Sequence, residues 1–499
     1  MSKRFLKVSL LGLLLVMCMS VAMAADVSED TTSEVATPQS TDTNNVDTTD
    51  YVSTEDNDNE INKQVNPTRS YNPITVNTCI NDSTWDNQSY DVYSNVKITT
   101  NITQSNNIAF NLNGNNITID GLNIVNDGTQ PVVIKVLAGS YDINILNTNI
   151  TLTNTNYGET KAVVINNADD VLVNNTNINM STFAQGLGWT QDSEGNWVSD
   201  LQTTAILVDN STNVDVSYNT ITMTNSTAPS AYETYSTTDA ITVRKEASNV
   251  TVNDNIITMD GAYYLYAIDV TEFVTNALVE NNNITLTGTN YICGVQLSST
   301  TNSIVRGNKI IGYCNATKCT TASGEAFAYG VVVLTGTYGA SSSESTYNIV
   351  DSNNVTLTST VAFAYELSNA DYTQVINNNG TVTGNVVMGL GIYNSSYCNI
   401  SGNRFIVRGN TRELCPYIYE AIYPVTTGIK INETSSYNNI TNNYIEVTDE
   451  GSISTDIYSI ILVGTDYTDV RENELIASEH GDDSVDYDID GSDTIEDNY

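Results

Sequence analysis

Few side chains in this sequence are of the types that build conventional catalytic sites. The 499 residues contain one histidine, His480, so neither a Ser-His-Asp triad nor a histidine-based metal site is expected. The adjacent carboxylates Asp169 and Asp170 have the chemistry for acid–base catalysis, but they fall at a predicted corner where a solvated turn explains them. We therefore assign no catalytic residue and no metal ligand, and the sequence favours a protein without catalytic activity.

One acidic segment near the C-terminus is similar to a calcium loop. Asp486, Asp488 and Asp490, followed by Gly491, match the start of an EF-hand loop. The continuation departs from that pattern, because Asp497 stands where the loop needs a glutamate. The repeat described below explains the segment better. We therefore expect no cofactor, and Ca²⁺ binding is a weak alternative.

Aromatic side chains are the main candidates for ligand binding. They are concentrated in four long segments, residues 180–203, 224–238, 312–328 and 409–427. Rings on exposed loops give a large contact area at little cost in conformational entropy, which suits a glycan or a protein partner. The alternative is that the rings pack on the protein's own surface and fix the loops. The predicted binding residues are Phe183, Trp189, Trp197, Tyr232, Tyr235, Tyr313, Tyr417, Tyr419 and Tyr423.

The N-terminal residues predict export. Residues 1–24 combine a basic start with a short apolar run and end in Ala22-Met23-Ala24, which is typical of a secretory signal peptide. Residues 25–70 are acidic, rich in Ser and Thr and poor in apolar residues, which predicts a disordered linker. No later segment is apolar enough to span a membrane. We expect the mature chain to be secreted or held at the cell surface.

The charge balance excludes nucleic acid as a partner. The chain has 18 basic and 58 acidic residues, a formal net charge of −40. Neutralising phosphates requires clustered basic residues, which are missing from such a sequence. The 66 Asn and 67 Thr residues favour turns and β-structure over helix.

From residue 71 onwards the sequence repeats a frame, Val/Ile-x-x-Asn-x-Ile. Its thirteen starts are all β-branched: Ile119, Ile145, Val173, Val216, Val252, Val279, Val305, Val350, Val375, Ile400, Ile440, Val470 and Ile495. Ten frames carry asparagine three residues after the start: Asn219, Asn255, Asn282, Asn308, Asn353, Asn378, Asn403, Asn443, Asn473 and Asn498. Asparagine tolerates turns and both donates and accepts hydrogen bonds, so a stacked structural ladder of these side chains is predicted.

A second short apolar segment precedes most frames, as in Ile206-Leu207-Val208 and Ile241-Thr242-Val243. Each unit then holds two or three short strands and has no room for a crossover helix. A period near 25 residues fits one coil of a parallel β-helix, where each strand pairs with its equivalent in the next coil. We predict an all-β, right-handed parallel β-helix of about 13–14 coils over residues 71–499, with residues 71–118 less regular. The four long segments then project from one edge.

The segment Gly114-Asn115-Asn116-Ile117-Thr118-Ile119-Asp120-Gly121 and the frames after it resemble the parallel β-helix repeats of pectate-lyase-like proteins. With the signal peptide and the acidic tether, the chain is similar more narrowly to the adhesin-like surface proteins of methanogenic archaea. The resemblance implies the fold but not the function, because such β-helices serve lyases, hydrolases, epimerases and adhesins. A lyase-like site needs a basic residue, but the candidates are more simply surface residues: Arg244, Lys245, Arg306, Arg404 and Arg408.

The leading hypothesis is a non-catalytic, adhesin-like protein that binds a glycan or a protein on a host, microbial or its own cell surface. The alternatives are a polysaccharide lyase or glycoside hydrolase, and a passive component of the cell envelope. Six cysteines follow the signal peptide, and an even number in an exported chain predicts disulfides. Cys314 and Cys319 are close enough in sequence to close a small loop. Eighteen Asn-x-Ser/Thr sequons make the chain a possible glycoprotein.

Overall fold

The described part of the chain consists almost entirely of β-strands. Within it, the structure contains no apolar helix of the length that crosses a membrane. The predicted signal peptide and linker lie outside the described residues and remain predictions. The computed structural model describes residues 71–498 except 155–159, 183–189, 192–196, 199–202, 225–236, 262–263, 315–325, 339–340, 411–425, 433, 452–456, 479–485, 489–492 and 497.

Three long parallel sheets run side by side along the chain, and successive strands of one sheet belong to successive coils. We name them sheets A, B and C in the order in which each coil visits them. The strands of sheet A are Tyr71–Ile74, Ser89–Tyr93, Ala109–Asn113, Val132–Val136, Lys161–Asn166, Thr203–Asp209, Thr237–Arg244, Tyr264–Thr271, Tyr291–Ser298, Phe327–Leu334, Val361–Ser368, Val386–Tyr393, Thr426–Ile431, Ile457–Val463 and Asp486–Asp488.

The other two sheets complete each coil. The strands of sheet B are Thr78–Ile80, Val96–Thr100, Asn115–Asp120, Tyr141–Leu146, Asp169–Asn174, Thr212–Ser217, Ser248–Asn253, Leu278–Glu280, Ile304–Arg306, Ile349–Asp351, Gln374–Ile376, Asn399–Ser401, Asn439–Thr441, Asp469–Arg471 and Thr494–Glu496. The strands of sheet C are Ser105–Asn106, Asn123–Asn126, Asn149–Asn154, Asn177–Thr182, Thr220–Thr224, Ile256–Gly261, Asn283–Gly288, Lys309–Cys314, Asn354–Ser359, Asn379–Gly384, Arg404–Gly409, Tyr444–Asp449 and Glu474–Ser478.

Three smaller elements lie outside the three parallel sheets. A short 3-10 turn, Ser83–Trp85, lies in the first coil. Two antiparallel hairpins pair Thr190–Gln191 with Trp197–Val198, and Gly336–Tyr338 with Ser341–Ser343.

The predicted register is confirmed. All thirteen frame starts lie in sheet B and each pairs with the next, so that Val252, Val279 and Val305 lie directly over one another. These three side chains are buried, and burying a valine or isoleucine fully contributes about 1.5–3 kcal/mol. Sheets A and B each hold fifteen strands, more than the coils predicted, because residues 71–118 already form ordered coils.

The ten asparagines of the frame form a continuous hydrogen-bonded ladder inside the corner between sheets B and C. At each step the main-chain N–H and the Nδ2 of one asparagine both donate to the Oδ1 of the next, over 2.9–3.1 Å. The same Nδ2 also donates to a main-chain carbonyl, as Asn282 does to Val252 over 2.9 Å. The side-chain amides are thereby satisfied in a buried corner.

The four long segments all connect a strand of sheet C to the next strand of sheet A. For example, residues 225–236 join Thr220–Thr224 to Thr237–Arg244, and residues 315–325 join Lys309–Cys314 to Phe327–Leu334. They therefore leave the solenoid at one corner. The one unusually long connection between sheets A and B holds the hairpin Gly336–Tyr338 with Ser341–Ser343.

A column of small residues interrupts sheet A, and the strand pairing skips it in successive coils. A Cβ at Gly330 would lie 2.4 Å from the carbonyl oxygen of Ala364 and 2.5 Å from Val355 Cγ1, so no side chain fits there. Outward side chains that flank the column contact each other, as Thr242 Oγ1 donates to Asp239 Oδ2 over 3.1 Å. The column is Ala162, Ala205, Ala240, Ala267, Gly294, Gly330, Ala364, Gly389, Gly428 and Ser459.

Candidate functional site at the corner between sheets A and B

A cleft of about 460 Å³, which we name the corner cleft, opens where the strands of sheet A end. Five successive coils contribute to it, from Val132–Val136 to Tyr264–Thr271. Its volume is in the range of small-ligand sites. It is lined by Ala138, Asn166, Asn167, Asp209, Asn210, Lys245, Glu246, Glu272 and Phe273.

Charged groups on neighbouring coils meet in the corner cleft. Asp209 Oδ2 accepts from Arg244 Nε and Nη2, both at 2.9 Å, and from Lys245 Nζ at 3.0 Å. Glu272 faces the same group, and its carboxylate accepts no hydrogen bond from the described residues. Partial burial raises the pKa of Glu272, although Arg244 and Lys245 oppose that shift. Arg244 is partly buried in this cluster, whereas Lys245 lies at the surface as expected and reaches Asp209 from there.

The backbone of the corner cleft is strained in two successive coils. Lys245 and Glu246 have φ of 56° and 61°, and Glu272 and Phe273 have φ of 62° and 67°. Non-glycine residues in this left-handed region cost about 1–2 kcal/mol each. The preceding coil turns the same corner with the single left-handed residue Asn210. Left-handed non-glycine residues also stand singly at corners of other coils, as Asn281 and Asn377 do, so it is the two successive residues in each coil that distinguish this corner.

Two buried carboxyl groups stand on the outward side of sheet A, beside the small-residue column. Burial raises the pKa of Asp269 to about 7, against the opposing hydrogen bond from Gln296 Nε2, which is 3.0 Å from Asp269 Oδ1. Burial alone raises the pKa of Glu366 to about 7, and this residue is 2% exposed. Tyr266, Tyr291 and other rings surround these acids in a buried aromatic cluster. The side of sheet A that faces away from the core therefore carries groups that titrate near neutral pH.

We expect Glu366→Gln to stabilise the protein in a pH-dependent way. The folded-state pKa of Glu366, about 7, lies above its ordinary value of 4.5, so the folded state binds more protons and wild-type stability falls as pH rises from 4.5 to 7. The variant should gain about 3 kcal/mol at pH 8 and nothing near pH 4, as measured by urea unfolding. Glu344→Gln, at an exposed carboxylate, is the control. An equal gain at both pH values would contradict the prediction.

Five tyrosines form a stacked row at the same corner, further along the solenoid; we name it the tyrosine array. Successive ring centroids are 4.8, 5.0, 5.0 and 4.9 Å apart, and successive ring planes differ by 3–13°. The side chains are 42–57% exposed. Each residue is left-handed, with φ of 54–60°. The array consists of Tyr347, Tyr372, Tyr397, Tyr437 and Tyr467.

The tyrosine array replaces an asparagine corner. In earlier coils the same position holds Asn213, Asn249 and Asn276, whose amides hydrogen-bond from coil to coil over 3.2–3.3 Å. Each array tyrosine lies three residues before a frame start, so a search for recurring tyrosine would have found it in the sequence. The array lies outside the four long segments in which the predicted binding residues are found.

Most of the aromatic residues predicted to bind lie outside the described residues. These are Phe183, Trp189, Tyr232, Tyr235, Tyr417, Tyr419 and Tyr423. The structure places Trp197 in the strand Trp197–Val198 without describing its side chain. Tyr313, in sheet C, is 48% exposed, whereas Phe327, at the start of the next strand of sheet A, is buried in the aromatic cluster of that sheet. Their part in binding stays a prediction.

The remaining site predictions concern cysteine and calcium. Cys79, Cys293, Cys314 and Cys398 are free thiols, so the structure does not show the predicted disulfide of Cys314. Cys319 lies outside the described residues. Burial raises the pKa of Cys314 to about 12. In the segment similar to a calcium loop, Asp486–Asp488 pairs with Ile457–Val463 as the last strand of sheet A.

Sheet order and register decide the architecture. The chain is a right-handed parallel β-helix protein. Solved structures similar to this β-helix include the A-module of mannuronan C-5 epimerase AlgE6 from Azotobacter vinelandii, with TM-score 0.46, 12% identity, and coverage of 77% of this chain and 90% of that chain. The surface adhesin PfbA of Streptococcus pneumoniae has TM-score 0.38 and 12% identity, with 80% of this chain and 83% of that chain covered.

DFA-IIIase from Arthrobacter chlorophenolicus is similar with TM-score 0.39 and 10% identity, over 82% of this chain and 88% of that chain. Likeness at such identities concerns the fold alone. No family model and no curated protein matches the β-helix. The narrower resemblance to archaeal surface proteins stays a prediction.

Proposed function

We propose that this β-helix is an exported, surface-displayed protein that binds a glycan without catalysis, and that the tyrosine array is its contact surface. The carrying observation is the row of five stacked, half-exposed tyrosine rings. Exposed rings gathered in a contiguous patch are typical of interaction sites, whereas single exposed rings need no explanation. The predicted signal peptide supports the location.

The array is preorganised for binding. Each ring is fixed by its stacked neighbours, and the main-chain N–H of Tyr372 and of Tyr397 is hydrogen-bonded to the next coil, at 2.9 and 3.1 Å. Little side-chain entropy is then lost when a ligand is bound. Because stacking covers the faces of the inner rings, the array presents ring edges and phenol hydroxyls, which donate and accept hydrogen bonds. A polymer rich in hydroxyl groups matches this surface.

We expect Tyr397→Ala to weaken glycan binding about tenfold, because it removes the central ring and frees both neighbours. The measurement is binding to a glycan array, followed by titration with the best glycan. Tyr141→Ala is the matched control, since Tyr141 is 50% exposed and is not part of the array. Tyr397→Phe keeps the stacked ring and tests the hydroxyl alone.

The binding measurements distinguish the tyrosine array from the four long segments as the glycan-binding surface. Loss of binding in Tyr397→Ala but not in Tyr141→Ala supports the proposal. Loss on Trp189→Ala with Trp197→Ala, and no effect of Tyr397→Ala, would move the site to the long segments. The absence of any bound glycan would favour a protein ligand or a passive envelope role.

A second candidate function is polysaccharide modification, favoured by the raised pKa of Asp269 on the outward side of sheet A. Asp269 and Glu366 cannot act as a pair, because three pairing steps of about 4.8 Å separate them and glycosidase carboxyls lie about 5–9.5 Å apart. Any enzyme would need Asp269 with another group, such as Asp239. Depolymerisation that Asp269→Asn abolishes would establish this alternative.

A further inference from the structure

We propose that the corner cleft binds a single pyranose unit that carries no acid group, such as a neutral or amino sugar. This site is distinct from the tyrosine array. It differs in residues, in coils and in the kind of contact, so either proposal can fail without the other.

The composition of the corner cleft suits a sugar ring. Phe273 supplies an aromatic surface, and Asn166, Asn167 and Asn210 supply amides that both donate and accept hydrogen bonds. Pyranoses have an apolar C–H face and a rim of hydroxyls, and one ring with several amides and carboxylates suits both parts. The cleft volume of about 460 Å³ leaves room for a single pyranose unit.

The two carboxylates Asp209 and Glu272 differ in whether the protein already supplies them with hydrogen-bond donors. Asp209 is held at 2.9–3.0 Å by Arg244 and Lys245, so its charge is already balanced. Glu272 lines the cleft and receives no hydrogen bond from the described residues. Glu272 is partly exposed, so its carboxylate is open to a hydrogen-bond donor from outside the protein. A sugar hydroxyl or ammonium group would supply that donor.

The charge of the cleft decides against acidic sugars. Asp209, Glu246 and Glu272 are opposed by Arg244 and Lys245, which leaves a net charge of −1 in a chain whose net charge is −40. A uronate would bring its carboxylate beside Glu272, where no cation is left unpaired by Asp209. Like charges in one partly buried site repel each other. We expect uronates to bind at least about tenfold more weakly than the neutral sugars.

The test is saturation-transfer NMR and titration with glucose, galactose, mannose, glucosamine and glucuronate on the full chain. We expect at least one neutral or amino sugar to bind, and Phe273→Gly to weaken it about tenfold. Glycine suits this variant because Phe273 has a φ of 67°, which glycine adopts freely. Tyr218→Ala, at an exposed ring outside the cleft, is the control.

Glu272→Gln provides a second variant should Phe273→Gly fold poorly. It keeps the shape of the side chain and removes its charge. The difference in affinity between glucuronate and the neutral sugars should therefore become smaller. Failure of every sugar to bind would overturn the proposal. So would equal or tighter binding of glucuronate, or losses in Phe273→Gly that Tyr218→Ala reproduces.

Discussion

Replacing Asn282 with alanine is expected to destabilise the protein by about 4 kcal/mol. The side chain makes four hydrogen bonds: Nδ2 donates to Val252 O and to Asn308 Oδ1, and Oδ1 accepts from Asn255 N and Nδ2, all at 2.9–3.0 Å. Alanine leaves buried donors on Asn255 and a buried carbonyl on Val252 without partners. Each such group costs about 1–3 kcal/mol.

The adjacent residue provides a matched control. Asn283 is exposed at the start of the strand Asn283–Gly288, and its replacement by alanine should change stability by less than about 0.5 kcal/mol. Urea unfolding of both variants gives the comparison. Equal losses for Asn282→Ala and Asn283→Ala would show that the ladder does not hold the coils together.

The second large effect is expected at the small-residue column, where Gly330→Ala should cost about 3 kcal/mol. The added Cβ would lie 2.4 Å from the carbonyl oxygen of Ala364 and 2.5 Å from Val355 Cγ1. The carbonyl belongs to the backbone of the next coil, which is held on both sides by parallel pairing. The next coil of sheet A and the facing strand of sheet C would both have to move away to accommodate the methyl group.

Ala364→Gly is the control for this column. It removes a methyl group at the equivalent position one coil later and should cost about 1 kcal/mol, mainly through backbone entropy. The melting temperature and the urea midpoint of both variants provide the measurement. If Gly330→Ala were as stable as the wild type, close approach of the sheets could not be the reason for small residues there.

The repeat was predictable because each coil solves the same packing problem with the same residues. Val252 and Val279 must be apolar to enter the core, and Asn255 and Asn282 must be amides to hydrogen-bond to one another. The structural period therefore appears as a repeat in the sequence. The small-residue column can be recognised in the sequence in the same way. Each of Ala240, Ala267 and Gly294 stands directly before an apolar-x-apolar segment. The tyrosine array was readable for that reason too.

The corner cleft has no such signature. Asp209, Arg244 and Glu272 are separated by dozens of residues and lie at a corner whose other coils carry different side chains. Which of them meet depends on the lengths of the intervening coils and on left-handed turns at Lys245 and Glu272. Nothing in the sequence around Arg244 indicates that it pairs with Asp209 of the preceding coil.

By itself, the sequence determined the coil, its register, its aliphatic columns and its asparagine corner, because these features repeat and each is satisfied by its own copy. The tertiary structure decided which unlike residues share a site. It brought Asp209 to Arg244, set Glu366 in a buried place facing away from the core, and aligned five tyrosine rings in one row. Such contacts join unlike residues on different coils. A contact of this kind does not recur from coil to coil, so it leaves no repeated pattern in the sequence.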